Sequence, residues 1–92
     1  MRIFKYQITP LTKTTITVPI GSTVLSAANQ GELIQVWVEV TDDAKGVMGI
    51  NFHAFPTGTS LQEGDEPLVF LGTVLMDGGN FVQHIFYSKG NK

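Results

Sequence analysis

His53 and His84 are the only side chains in this sequence that exchange protons near neutrality without a large perturbation, so any acid–base chemistry must start from them. Each falls in a stretch that alternates like a β-strand. His84 shares its strand face with Val82 and Phe86, and His53 shares its face with Asn51 and Phe55. Such a histidine is more often packed and hydrogen-bonded than catalytic, because catalysis also needs a partner at hydrogen-bond distance. The two histidines are 31 positions apart, which gives no local metal-ligand spacing; a site made from both with Asp77 or Glu39 would have to be assembled by the fold. The chain has no cysteine, which removes thiolate nucleophiles, thiolate metal sites, iron–sulfur clusters and disulfides. No Gly-x-Ser-x-Gly elbow and no phosphate-binding Gly-x-x-x-x-Gly-Lys-Ser/Thr loop occurs. Glu63, Asp65 and Glu66 offer carboxylates for a hard cation, yet the ordered spacing of a calcium loop is absent, and a solvated acidic loop is the better account. No cofactor or metal is expected. Trp37 and the rings of Phe52, Phe55, Phe70, Phe81, Phe86 and Tyr87 could line a pocket or form a stacking platform; filling the core is their default use.

The elements that must position these residues are strands. Phe4, Tyr6 and Ile8 alternate with Lys5 and Gln7, and Ile16, Val18 and Ile20 alternate with Thr15, Thr17 and Pro19. The short Thr9–Lys13 connection predicts that these two strands are neighbours in a hairpin. Ser22–Asn29 and Glu32–Thr41 flank Asn29-Gln30-Gly31, a second hairpin signal. In the later strand Ile34, Val36, Val38 and Val40 form one face, and Leu33 and Trp37 put apolar bulk on the other, as in a central strand covered on both sides. Asp42–Gly46 reads as an exposed turn. Met48, Ile50, Phe52 and Ala54 define a fifth strand ended by Pro56, and residues 56–67 read as a long polar loop. Leu68–Leu75 and Asn80–Ser88 are joined by Met76-Asp77-Gly78-Gly79, a further hairpin, with Gly72 marking a bulge or a close backbone approach. The expected fold is all-β: one small antiparallel sandwich or barrel-like domain of six to seven short strands over residues 1–88, with 89–92 a flexible tail.

Ninety-two residues hold one core and no second domain. Charged residues make up 15% of the chain, against roughly 25% in an ordinary soluble domain, so part of the surface is neutral or apolar and suited to cover by another chain. A homo-oligomer is therefore expected. Residues 14–88 hold all eight acids and one base, Lys45, leaving five bases at the ends. With Arg2 the only arginine, the converging cationic surface that nucleic acids require is missing. The longest apolar run, Leu68–Leu71, is far below the ~20 residues of a membrane helix, and no signal-peptide core opens the chain, so it is expected to be soluble and unexported.

Several stretches together resemble a group of small proteins encoded by tailed bacteriophages and prophages. They are Ile3–Ile8, Ile16–Ser26, Leu33–Val38, Leu71-Gly72-Thr73-Val74 and Phe81–Phe86. Members of that group often carry histidine after a Thr-Gly pair that follows the fifth strand; here Thr57-Gly58 is followed by Thr59, which puts any role of that histidine in doubt. His84 matches the group's late-strand histidine. The resemblance implies a phage accessory protein in the host cytoplasm, acting on a host protein. From residues and resemblance together, the expected function is a non-enzymatic, self-associating interaction module. Its expected contact residues are His84, His53, Trp37, Thr57, Gly58, Glu63 and Asp65. The alternatives are a small-ligand binder or hydrolase-like enzyme centred on His84, or a minor virion component.

Overall fold

A computed structural model of the chain describes residues 1–42, 45–60 and 67–89. Among these, seven strands follow one another: β1 (Arg2–Ile8), β2 (Lys13–Pro19), β3 (Thr23–Gln30), β4 (Leu33–Val40), β5 (Val47–Pro56), β6 (Val69–Met76) and β7 (Phe81–Lys89). They form two antiparallel sheets, one in the order β1-β4-β3 and the other in the order β2-β5-β7-β6. Of the two all-β architectures the sequence allowed, the chain adopts the sandwich. Strand β7 continues through Lys89, which pairs with Ile50, so the last strand runs one residue beyond Ser88; residues 90–92 lie outside the described residues. Among the described residues, no helix is long and apolar enough to cross a membrane.

Period-2 alternation decides which side chains meet between the sheets. Ile34, Val36, Val38 and Val40 from β4 face Ile50, Phe52 and Ala54 from β5, with Val74 from β6 and Ile85 from β7, and all are buried. Tyr6, Ile16, Phe81 and Tyr87 pack around this cluster. Strand β4 is central in its sheet, paired along both edges, but the expected cover on both faces is corrected: its second face is the outer one, where Leu33 is exposed. Pro19 closes β2, an edge strand, where a missing N–H breaks no ladder.

A second expectation is corrected. β1 and β2 are not hairpin neighbours: β1 pairs with β4, β2 pairs with β5, and the two lie in opposite sheets. Leu11 has φ 64°, a left-handed turn that carries the chain from one sheet across to the other. This arch is anchored from the core: the Leu11 N–H donates to Oε1 of the buried Gln83 at 3.1 Å, and the Ala54 N–H donates to the Thr12 carbonyl at 3.2 Å. Two amphipathic strands in sequence can cover each other's apolar faces across a sandwich as well as lie side by side, and alternation alone does not choose.

The other two hairpin expectations hold. Gln30 pairs with Leu33 across a two-residue turn in which Gly31 has φ 60°. Met76 pairs with Phe81 across a four-residue turn, Asp77–Asn80, in which Asp77, Gly78 and Gly79 all have positive φ. The ladder of β6 slips between Phe70 and Gly72, the bulge that Gly72 announced. There the β6 edge of one sheet comes close to the β3 edge of the other, and a Cβ at position 72 would stand 3.8 Å from the Ala27 carbonyl.

At the far end of β1, Asp42 accepts from the N-terminal ammonium of Met1 at 3.2 Å and from Arg2 Nε at 3.0 Å. These bonds hold its carboxyl below the usual aspartate range, the ammonium bond being the larger cause. A lowered folded-state value means that the latch stabilises above the unfolded aspartate pKa and is lost as pH falls through the folded value. An NMR titration should place the Asp42 midpoint below that of a free aspartate, and Arg2→Ala should move it back up; an unchanged midpoint would mean the pair is not formed in solution.

Candidate functional site

The residues of β5, β6 and β7 that do not enter the core share the outer face of the four-stranded sheet. Register puts Phe55 and Thr73 directly opposite His84 on its two sides, and His53 and Phe70 opposite Phe86. His84 is therefore at the centre of this face, on an inner strand of the sheet.

Its imidazole is held at both ends. Thr57 Oγ1 lies 2.8 Å from Nε2, and Thr73 Oγ1 lies 3.1 Å from Nδ1. A neutral imidazole donates from one nitrogen and accepts at the other, so one threonine receives the ring proton while the other donates its own. Thr57 reaches the ring because the chain turns sharply after β5: Gly58 has φ 92°, and the Thr59 amide and hydroxyl both donate to the Pro56 carbonyl, at 3.2 and 2.7 Å. Gly58 can adopt that angle without the clash a Cβ would cause.

Aromatic rings surround this polar centre. His53 stacks on Phe55 with centroids 5.7 Å apart at 17°, Phe55 meets Phe86 at 5.8 Å and 60°, and Phe70 meets Phe86 edge-on at 5.4 Å and 64°. Phe70 is 56% exposed. Between these rings and the Pro56–Thr59 turn lies a cavity of about 160 Å³, open to solvent, with His84 in its wall. Among the described residues, no Asp, Glu, Lys or Arg lines it.

The Thr57–His84 distance is what a general base needs to activate a hydroxyl. The third position of such a relay is occupied by Thr73, a neutral hydroxyl that brings no charge to stabilise an imidazolium. What the arrangement does well is hold a ring rigidly in the wall of an apolar cavity. Among the described residues, no group of three or more His, Asp or Glu could hold a metal ion.

Of the expected contact residues, the structure brings Thr57, Gly58 and His84 together and leaves His53 on the same face, one strand over. Trp37 is separate. It lies on β4 opposite Lys5 and Ser26, in the other sheet, so it cannot share a pocket with His84. Glu63 and Asp65, with the rest of residues 61–66, lie outside the described residues. The default use of the rings as core filler holds for Phe52 but is corrected for Phe70, which stands on the surface beside Phe55 and Phe86. Thr73 was missed.

The fold and site define a small all-β sandwich that presents a cavity on one outer sheet face, lined among the described residues by aromatic and uncharged polar side chains. The chain belongs to the family DUF7352, a domain of unknown function, which it matches over residues 1–92. No curated protein and no solved structure matches it.

Proposed function

We propose that this chain is a non-enzymatic, self-associating protein-interaction module whose recognition surface is the outer face of the four-stranded sheet. The observation that carries the reading is the size and lining of the cavity. Pockets that enclose whole small molecules usually measure roughly 300–1,000 Å³, whereas about 150 Å³ accommodates a single benzene ring. At about 160 Å³, lined by Phe55, Phe70, Phe86 and Pro56, the cavity suits one apolar side chain presented by a protein. Its wall is pre-formed by the bonds of Thr57, Thr59 and Thr73, which lowers the ordering cost of binding. Both nitrogens of His84 are engaged in that wall, which favours binding over proton transfer.

The likeness of the strand sequences to small phage and prophage proteins supports a narrower setting: an accessory protein that acts on a host protein in the host cytoplasm. A tagged pull-down from host lysate, read by mass spectrometry, tests this. The expected result is one stoichiometric host protein, retained by Ile3→Ala, on the opposite sheet, and lost with Phe70→Ala. Capture of nothing, or capture indifferent to Phe70, overturns the host-protein reading; recovery of the chain in purified virions would replace it with a particle component.

A further inference from the structure

Resting on the reading of this face as a protein-recognition surface, we infer that its first occupant is a second copy of the chain, with Phe70 of each protomer seated in the cavity of the other. Knob and hole lie on the same patch. Phe70 stands at the cavity rim and is more than half exposed, with Leu75 on the same face of the strand also exposed. A two-fold axis beside β6 carries each Phe70 toward the other protomer's cavity, the reciprocal contact that defines an isologous interface. The cavity has the volume of one phenyl ring, and its rings, already tilted at 60° and 64°, provide the edge-to-face arrangement a further aromatic prefers.

Charge permits the contact. A self-complementary interface presses two copies of one face together, so a net charge of one sign on that face would oppose it. Among the described residues of this face, β5, β6 and β7 carry no Asp, Glu, Lys or Arg, and its one such charge, Lys13, lies opposite His53 on β2, the edge strand farthest from β6. The contact is small: the strands that carry knob and cavity, β5 to β7, span roughly 400 Å² in projection at ~4.8 Å spacing and about eight residues of ~3.3 Å each, below the ~800 Å² that each partner buries in a standard interface, as suits a dimer that forms only in the micromolar range.

Sedimentation equilibrium of the purified chain over low to high micromolar concentration tests the inference. The wild type should approach twice 10.0 kDa as concentration rises. Phe70→Lys should weaken the dimer by at least roughly thirtyfold, the size expected of a central aromatic anchor, and should melt as the wild type does at a concentration where both are monomeric, because there the side chain is exposed. Ile3→Lys, at an equally exposed apolar position on the other sheet, should dimerise as the wild type does. A wild type that stays monomeric overturns the inference, as does a Phe70→Lys protein that dimerises normally. If that monomeric wild type still captures a host protein through Phe70, the interaction-module reading survives the loss of the dimer; if it captures none, both fall.

Discussion

Phe52→Ala should cost about 3–5 kcal/mol and lower the melting temperature by about 15 °C or more, the largest single-site effect expected in this domain. Phe52 is fully buried on β5, beneath β4 and against Tyr87, with ring centroids 6.3 Å apart. Its truncation leaves a void between two sheets whose separation is fixed by the neighbouring Ile34, Val36, Ile50 and Ile85, so little collapse can offset the loss. A domain of this length has roughly 5–14 kcal/mol in total, and the variant should therefore be marginal at ambient temperature. Urea unfolding followed by Trp37 fluorescence measures it. Phe70→Ala, a substitution of the same chemistry at an exposed position, should stay within about 0.5 kcal/mol of the wild type in the same assay. Equal losses at the two positions would refute the assignment of inner and outer faces.

His84→Ala is expected to cost about 2 kcal/mol, because it removes two side-chain hydrogen bonds worth about 0.5–1.5 kcal/mol each along with the ring's packing. Thr57→Val and Thr73→Val keep side-chain shape and remove one hydroxyl each, so each should cost about 1 kcal/mol. In the His84→Ala background both threonine substitutions should become nearly neutral, a coupling that a double-mutant cycle reads directly. Additive costs would show that the three side chains act independently and that the clamp is not formed. Stability is the informative readout here: a histidine retained for proton transfer alone would be replaced with little change in the unfolding midpoint.

Much of this molecule is readable from its sequence because its strands are short and strictly alternating. Ile50, Phe52 and Ala54 on one face and Asn51, His53 and Phe55 on the other needed nothing beyond period 2. Gly31 and the Asp77-Gly78-Gly79 run fixed two hairpins, since few residues accept positive φ. The pairing of Thr73 with His84 was also within reach: once Met76 pairs with Phe81, counting back three residues on β6 and forward three on β7 places them opposite one another. What alternation does not contain is sheet membership. The Thr9–Lys13 segment has the length of a hairpin loop, and only the left-handed Leu11 and the long-range bond to Gln83 make it an arch. That single ambiguity hid which outer face each aromatic occupies, and so it misplaced Trp37. Exposure of Phe70 was hidden for a related reason: the bulge at Leu71 changes which residues of β6 point outward, and a bulge announced by Gly72 does not state its direction.

The arch between β1 and β2 also bears on how the chain finds its fold. Because these consecutive strands never pair, β1 must wait for β4 and β2 must wait for β5, each ladder closing a loop of at least 25 residues. Only β3–β4 and β6–β7 are local, so those two hairpins are the natural first structures to form, and neither contains β5, which carries Phe52. Contact order of this kind belongs to domains that fold in milliseconds to seconds rather than microseconds. During that interval β6, charge-free and bearing Phe70, is already presented on a finished hairpin while the core is still open. The cavity proposed to receive Phe70 is completed only when β5 and its Pro56–Thr59 turn join that hairpin, so association through it follows the last steps of folding.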